Sequence, residues 1–473
     1  MVFSSILFLV YFFPLFLVLY FITPVKYKNY TALAASVFFY AWGAPKFIFV
    51  VFAVLIVDYY IGNRIYATQG KQKKLYLLLS ILLNIGMLFY FKYSNFFVEN
   101  VNFILGQLGI HAIGWTKIAL PIGISFFVFQ EMSYTIDIYR GEHKPLKNFG
   151  DYMLFIFLFS HLIAGPIVTY HVLADDIVDR RKKLNNDYRL AGLFRFSIGL
   201  ARKVLIANTL GEVADGIFAQ PVANLTAGDC WLGAIAYTFQ LYFDFAGYSD
   251  MAIGIGKILG FDFPENFNNP YISQNITEFW KRWHITLGQW MRNYLYIPLG
   301  GNRVSEPRAY LNLVAVFLIS GFWHGASWTF VIWGAYHGFF MICDRLFLDK
   351  LLKPTGRFFR TVLTFFIAVF GWVLFRSDTI QQAGYFILKM LRFRSLELHD
   401  DVSSRFIAVL ALALLFSFAA LARPWENLQA KIYSVKQSSL ASLGMFAVVV
   451  VFYVLCLSQI TATRFNPFIY FRF

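Results

Sequence analysis

Two tryptophan-flanked histidines stand 40 residues apart in a chain of 473. His284 closes Trp-Lys-Arg-Trp-His (280–284), and His324 lies in Gly-Phe-Trp-His-Gly-Ala-Ser-Trp (321–328). Imidazole gains and loses a proton near neutral pH, so it can take the proton of an attacking hydroxyl or carry an acyl group itself. His324 sits in a run, 311–336, that has no charged residue. Burying an unpaired polar ring there costs up to several kcal/mol, so the ring needs a partner or a task. The pair reads as the reaction centre of a membrane enzyme that transfers an acyl group. The plainer readings are a histidine at the edge of an amphipathic helix for His284 and a core histidine bonded to a backbone carbonyl for His324. His337, thirteen residues further on in Tyr-His-Gly (336–338), is a third candidate.

Groups that could support such a pair lie upstream. Asp244 and Asp250 sit among apolar residues in Gln-Leu-Tyr-Phe-Asp-Phe-Ala-Gly-Tyr-Ser-Asp-Met-Ala (240–252). Each reads as a helix cap, with Asp250 after Ser249 suiting an N-cap, or as a carboxylate that orients a histidine. Trp283 and Trp323 would line a passage. Gly247, Gly254, Gly256 and Gly260 would let helices approach closely, and Gly256 and Gly260 have the small-xxx-small spacing.

The element carrying His284 differs from a membrane span. Over 276–296 the charges are Glu278, Lys281, Arg282 and Arg292, while Trp280, Trp283 and Leu287 recur at spacings of three and four. That pattern predicts an amphipathic helix lying in a membrane interface. The rest is built for lipid. The chain is 59% hydrophobic and only 14% charged, against roughly a quarter charged in a soluble domain. Apolar runs over 3–22, 75–91, 118–136, 152–170, 309–338, 361–374, 406–421 and 442–460 predict a polytopic helical bundle of roughly ten or more spans. The first run lacks a basic leader and a cleavage signature, so it reads as a retained span. The runs are far longer than a barrel strand of about 10 residues. No linker or internal repeat divides the chain, and 1–473 reads as one integral-membrane domain.

The formal net charge of +15 comes from short basic clusters between apolar runs, such as Arg180 to Lys183. This is the pattern of cytoplasmic loops facing anionic lipid, so lipid rather than nucleic acid is the expected partner. Cys230, Cys343 and Cys456 are isolated and read as small core residues. No metal site is expected, because the histidines lack ligand spacing. A serine-hydrolase elbow, a phosphate-binding loop and a His-Glu-x-x-His motif are all missing.

Several motifs together resemble the membrane-bound O-acyltransferases, in particular those that O-acetylate alginate and other polysaccharides. They are Trp-His-Ile-Thr-Leu (283–287), Tyr-Leu-Tyr-Ile-Pro-Leu-Gly-Gly-Asn-Arg (294–303) and Gly-Phe-Trp-His-Gly-Ala (321–326), with further matches at 1–5, 90–93, 120–126, 161–167, 240–252 and 467–473. The resemblance implies an all-α bundle with a central funnel or tunnel and short interfacial or re-entrant helices. It places the family's invariant histidine at His324 and its second polar position at His284. It implies acetyl transfer from cytoplasmic acetyl-CoA, a substrate rather than a permanently bound cofactor, in a multi-pass protein of the bacterial inner membrane. The acceptor would be a glycan or an extracytoplasmic acetyltransferase of the SGNH type. Lys281, Arg282, Arg292 and Arg303 are then candidates for the phosphates of coenzyme A, although ordinary loop cations would look the same. The chain departs from its relatives at Ser160, where proline is common, and at Arg472, where glutamine is common. The latter puts the identity of a partner docked by the tail in question.

Three other readings compete. Peptidoglycan O-acetylation shares the motifs. Transfer of D-alanine from a carrier protein to teichoic acid is a related reaction that differs in its donor. A transporter-like conduit with histidine proton relays is the non-enzymatic reading, and the missing internal repeat counts against it.

Overall fold

The computed structural model describes residues 1–399, 401–463, 465 and 466, with the backbone alone at 423. All regular structure among these residues is helical. Five helices are long and apolar enough to cross a membrane: Ile48–Ala67, Gly70–Gln107, Trp328–Arg376, Ser404–Leu421 and Ser439–Ala462. In the last of these only 11% of the most apolar window is buried, and Leu440, Leu443 and Val454 face outward. Water does not tolerate so large an apolar surface, and lipid does.

Fewer uninterrupted spans form than the apolar runs suggest. The first run gives a helix of 16 residues over Leu7–Ile22. Residues 118–123 are not helical, and the helix there begins at Ile124. The run 152–170 breaks at Leu158 (φ −52°, ψ 110°) and loses helix after Leu162. Ser160 is buried within this break. Hydropathy reports how apolar a segment is, and says nothing of where its backbone turns inside the protein.

The chain divides into two compact units. Unit 1 comprises Met1, 7–183 and 260–263. Its helices include α1 (Ile48–Ala67), α2 (Gly70–Leu88), α3 (Ile124–Arg140) and α4 (Phe149–Phe157). Unit 2 comprises 2–6, 184–259 and 264–473.

Unit 2 is organised around α6 (Ala227–Leu259), which packs along α5 (Asn186–Ala201). With 33 residues, α6 is about 50 Å long. It is apolar on nearly every side, as a helix wrapped by others must be. The close approach is made by Gly192 and Gly199 on α5 against Gly254 and Gly247 on α6. A Cβ at Gly199 would stand 2.5 Å from the Gly247 carbonyl oxygen, and one at Gly254 would stand 2.6 Å from that of Gly192. Gly247 and Gly254 are two of the four glycines expected to allow close helix packing. Gly260 ends the helix with φ 83°.

The ion pairs along this seam correct the reading of both aspartates. Asp250 is in mid-helix, not at a cap. Its oxygens meet Arg195 at 2.6 Å and Arg202 at 2.5 Å, and Arg195 also reaches Glu265 at 2.6 Å. Asp244 pairs with Lys203 at 2.5 Å, both nearly fully buried. These carboxylates balance cations, since a lone charge in such surroundings is costly.

The remaining elements of unit 2 present the histidines. They are α7 (Ile276–Arg282), α8 (Ile285–Met291), α9 (Glu306–His324), α10 (Trp328–Cys343) and α11 (Gly356–Arg376). The stretch from α10 to α11 reverses at Gly356 (φ 81°), and the two helices pack together.

Candidate active site

The predicted amphipathic helix over 276–296 exists in two pieces. Asn275 caps α7 by accepting the Glu278 N–H at 2.7 Å. The helix stops after Arg282, and His284 takes the left-handed conformation (φ 44°, ψ 54°) before α8 begins. A residue with a side chain rarely adopts this geometry, which costs about 1–2 kcal/mol. The apolar face of the pair turns into the protein, with Trp283, Leu287 and Trp290 each no more than 5% exposed.

Asn266 holds the turn. Its side-chain oxygen accepts from His284 Nδ1 at 3.0 Å and from the Thr286 hydroxyl at 2.8 Å, and its backbone oxygen accepts from Ile285 N–H at 2.9 Å. The other side of its amide donates to Ser249 Oγ at 3.0 Å. An amide oxygen can only accept, so Nδ1 of His284 carries the hydrogen and Nε2 carries the basic lone pair. Burial, and then the neighbouring His324, hold His284 well below the usual histidine range, which keeps the ring neutral. The orienting role expected of Asp244 or Asp250 therefore falls to Asn266. The sequence offered no signal for this, because Asn-Phe-Asn-Asn-Pro (266–270) reads simply as a turn.

His324 reaches the same place from the other direction. The single apolar run 309–338 folds as two helices, and His324 is the last residue of α9. Gly325 ends α9, and Ser327 starts α10 by accepting the Thr329 N–H at 3.2 Å. A side chain at Gly325 would collide with the Phe330 ring. A Cβ at Gly321 would stand 3.2 Å from Gly334, so α9 and α10 meet almost backbone to backbone. The two imidazole rings end with centroids 6.5 Å apart. Around His324 stand Trp323 at 4.9 Å, Trp333 at 5.2 Å and Phe375 at 5.3 Å. Trp323 also faces the His284 ring at 6.4 Å, while Trp283 packs on Trp372 at 4.6 Å. Trp323 thus belongs to the space between the histidines, and Trp283 belongs to the aromatic core behind it.

His337 is on the far side of Trp333, ring to ring at 5.1 Å. It is fully buried, and neither ring nitrogen has a hydrogen-bond partner. Trp280 at 4.9 Å and Tyr336 at 5.2 Å complete an aromatic cage. It supports the wall of the site and does not meet His284.

Two cavities lie against the His284 turn. One, of about 610 Å³, is lined by His284 itself with Lys281, Arg292, Arg345, Gln289 and the apolar side of α9. The other, of about 560 Å³, is lined by Asn266 and Ile285 with Arg282, Asn268, Glu426 and the Arg195–Asp250–Arg202 cluster. The four cations singled out in the sequence therefore separate. Lys281 and Arg292 share the first cavity. Arg282 belongs to the second, where it also pairs with Glu278 at 2.9 Å. Arg303 is exposed and lines neither. Arg345, in the helical turn that follows α10, joins Lys281 and Arg292 only through the fold. The C-terminal segment 467–473, with Arg472, lies outside the described residues.

Both histidines lie within residues 140–377, which match the membrane-bound O-acyltransferase family. The chain is 45% identical over 426 residues to "Probable alginate O-acetylase AlgI" of Azotobacter vinelandii, covering 89% of this chain and 84% of that protein. The chain belongs to the membrane-bound O-acyltransferase family. A relative of the same name from Pseudomonas putida is 41% identical over the full length of both proteins. The "Peptidoglycan O-acetyltransferase" of Helicobacter pylori is 38% identical, covering 83% of this chain and 79% of its own. As a family member, the protein is an integral membrane acyltransferase working by O-acyl transfer. The two histidines brought together by α7–α8 and α9–α10 stand in its matched region, and His284 lines a cavity large enough for part of a substrate.

Proposed function

We propose that this acyltransferase takes an acetyl group from acetyl-CoA on the cytoplasmic side of the bacterial inner membrane and passes it outward for O-acetylation of an alginate-type exopolysaccharide. The observation that carries this reading is the meeting of His284 and His324 at two interrupted helices, with His284 lining a cationic cavity. The likeness to the alginate O-acetylases extends over the whole chain and supports the acetyl group and the polysaccharide. Lys281, Arg292 and Arg345 supply positive charge suited to the phosphates of coenzyme A.

His324 acts as the base or as the acyl carrier. An acceptor hydroxyl attacks the thioester carbonyl, the imidazole takes its proton, and the coenzyme leaves as a thiolate that recovers that proton. A positioned base contributes about 10²–10⁴-fold to such a step. If His324 is acylated first, its nitrogen makes the same attack, and the acceptor hydroxyl then takes the acetyl group from it. His284, fixed by Asn266, orients the acceptor or steadies the developing oxyanion. The outer acceptor is an SGNH-type acetyltransferase or the glycan itself, and the segment 467–473 is where such a partner would dock.

The test uses the full chain in lipid nanodiscs with radiolabelled acetyl-CoA, comparing wild type with His324→Ala. Thioester loss and label on an added acceptor in wild type, absent in the variant, are expected. Equal turnover by the variant would remove His324 from the chemistry. Turnover with an acylated carrier protein and none with acetyl-CoA would move the donor to the D-alanyl type.

A further inference from the structure

Unit 1 contains a second cluster of ionisable groups that acyl transfer does not use. Asp58 on α1, Ser80 and Asn84 on α2, Glu131 and Thr135 on α3 and Tyr152 on α4 converge in its interior, and all six are fully buried. Asp58 accepts three hydrogen bonds from neutral groups. Ser80 Oγ donates at 2.6 Å and Asn84 Nδ2 at 3.4 Å to one oxygen, and the Tyr152 hydroxyl donates at 3.3 Å to the other. No described cation pairs with Asp58 or with Glu131.

Glu131 is the exceptional member. Its carboxyl is close enough to Asp58 for the two charges to act on one another. Even so, neither of its oxygens has a hydrogen-bond partner. Asn84 turns its amide nitrogen to Asp58, and its amide oxygen is left unpartnered as well. Three buried oxygens on two helices are thus unsatisfied beside a carboxylate that already has its donors. Each such group costs about 1–3 kcal/mol if left alone. All three are hard oxygen acceptors, the ligand type that small hard cations take.

We propose that Asp58, Glu131 and Asn84 form an intramembrane site for a small monovalent cation of the sodium type. A single positive charge between two carboxylates leaves one negative charge, which the three donors on Asp58 disperse. A divalent ion would neutralise both, but the cost of stripping its water rises with the square of its charge. The site ties α1, α2 and α3 together through the ion. Its occupancy would therefore set the stability of unit 1 without touching the histidine pair.

The experiment measures binding of radiolabelled sodium to the full chain in nanodiscs, at constant ionic strength made up with N-methyl-D-glucamine. About one sodium per chain is expected, displaced by unlabelled sodium but not by the organic cation, with a saturable rise in the thermal midpoint of about 3 °C or more. Glu131→Gln should abolish both while melting no lower than wild type in sodium-free buffer. Should that variant fail to fold, wild-type binding and its loss in Asn84→Ala decide the matter. Absence of sodium binding by wild type overturns the site, as does binding that survives both substitutions. Stabilisation by calcium and not by sodium overturns the choice of ion.

Discussion

Replacing Asn266 by alanine gives the most informative test of the site's geometry. The change removes the acceptor for His284 Nδ1 and for the Thr286 hydroxyl, both 2% exposed. Losing both of these buried hydrogen bonds would cost at most about 2–6 kcal/mol if the site stayed dry. Asn266 lines a polar cavity, so water can enter and replace part of what is lost, and a stability loss of about 1–3 kcal/mol is expected. The effect on rate has a different origin. Without Asn266 the His284 ring is free to rotate and to take the other tautomer, and lost support of this kind costs about 10–100-fold in activity. The assay is single-turnover acetyl transfer in nanodiscs by wild type, Asn266→Ala, His284→Ala and the double variant. If Asn266 acts through His284, the double variant is no slower than His284→Ala alone, because residues working as a unit are not additive. Losses that multiply would refute the assignment, and so would an Asn266→Ala protein with full activity.

Three other outcomes follow from particular contacts. Lys281→Gln and Arg292→Gln should each raise KM for acetyl-CoA several-fold with kcat little changed, most clearly at low salt, while Arg303→Gln leaves KM alone; steady-state kinetics at two ionic strengths distinguish them. Gly254→Ala forces a methyl group against the Gly192 carbonyl and the Phe196 backbone, so thermal unfolding in detergent should show a loss of about 1–3 kcal/mol. Asp250→Asn strands Arg195 and Arg202 with half their countercharge, and a destabilisation of about 3–5 kcal/mol should appear as a lowered midpoint and reduced yield.

The helical, lipid-facing character was legible because composition and run length report it directly. His284 and His324 were legible for a related reason: a polar ring in an apolar stretch stands out whatever the fold. The partners of these groups were not. Asn266 is 18 residues from His284, and an asparagine before Asn-Pro carries a sufficient local explanation as a turn. Asp244 and Asp250 looked like candidates to orient histidine because their cations, Lys203, Arg195 and Arg202, are on another helix. The breaks were equally hidden. Nothing in Trp-His-Ile-Thr (283–286) signals a left-handed residue, since glycine would be the usual choice there. Gly325 was not legible as a helix end, because hydropathy continues unchanged across it.

The two breaks explain why the histidines are useful where they are. Inside a continuous helix, an imidazole points sideways into neighbouring side chains, and its position follows from the helix axis. At a break, the ring is positioned by hydrogen bonds and packing particular to that place. Buried non-helical backbone survives only where protein or water satisfies its polar groups. At His284 that requirement is met by Asn266, which bonds the backbone N–H of Ile285 and the ring of His284 together. The same contacts that make a strained left-handed residue tolerable also fix which nitrogen of its ring is basic. At His324, Gly325 and Gly321 let α10 return close enough for Trp333 to pack on the ring, and Phe375 of α11 packs beside it. Interruption of the helices and burial of the rings, with His284 open to a cavity, are therefore consequences of one local arrangement. A substitution that restored a continuous helix through 283–285 is expected to abolish the proposed reaction centre even with both histidines retained, which a transfer assay would read as loss of activity.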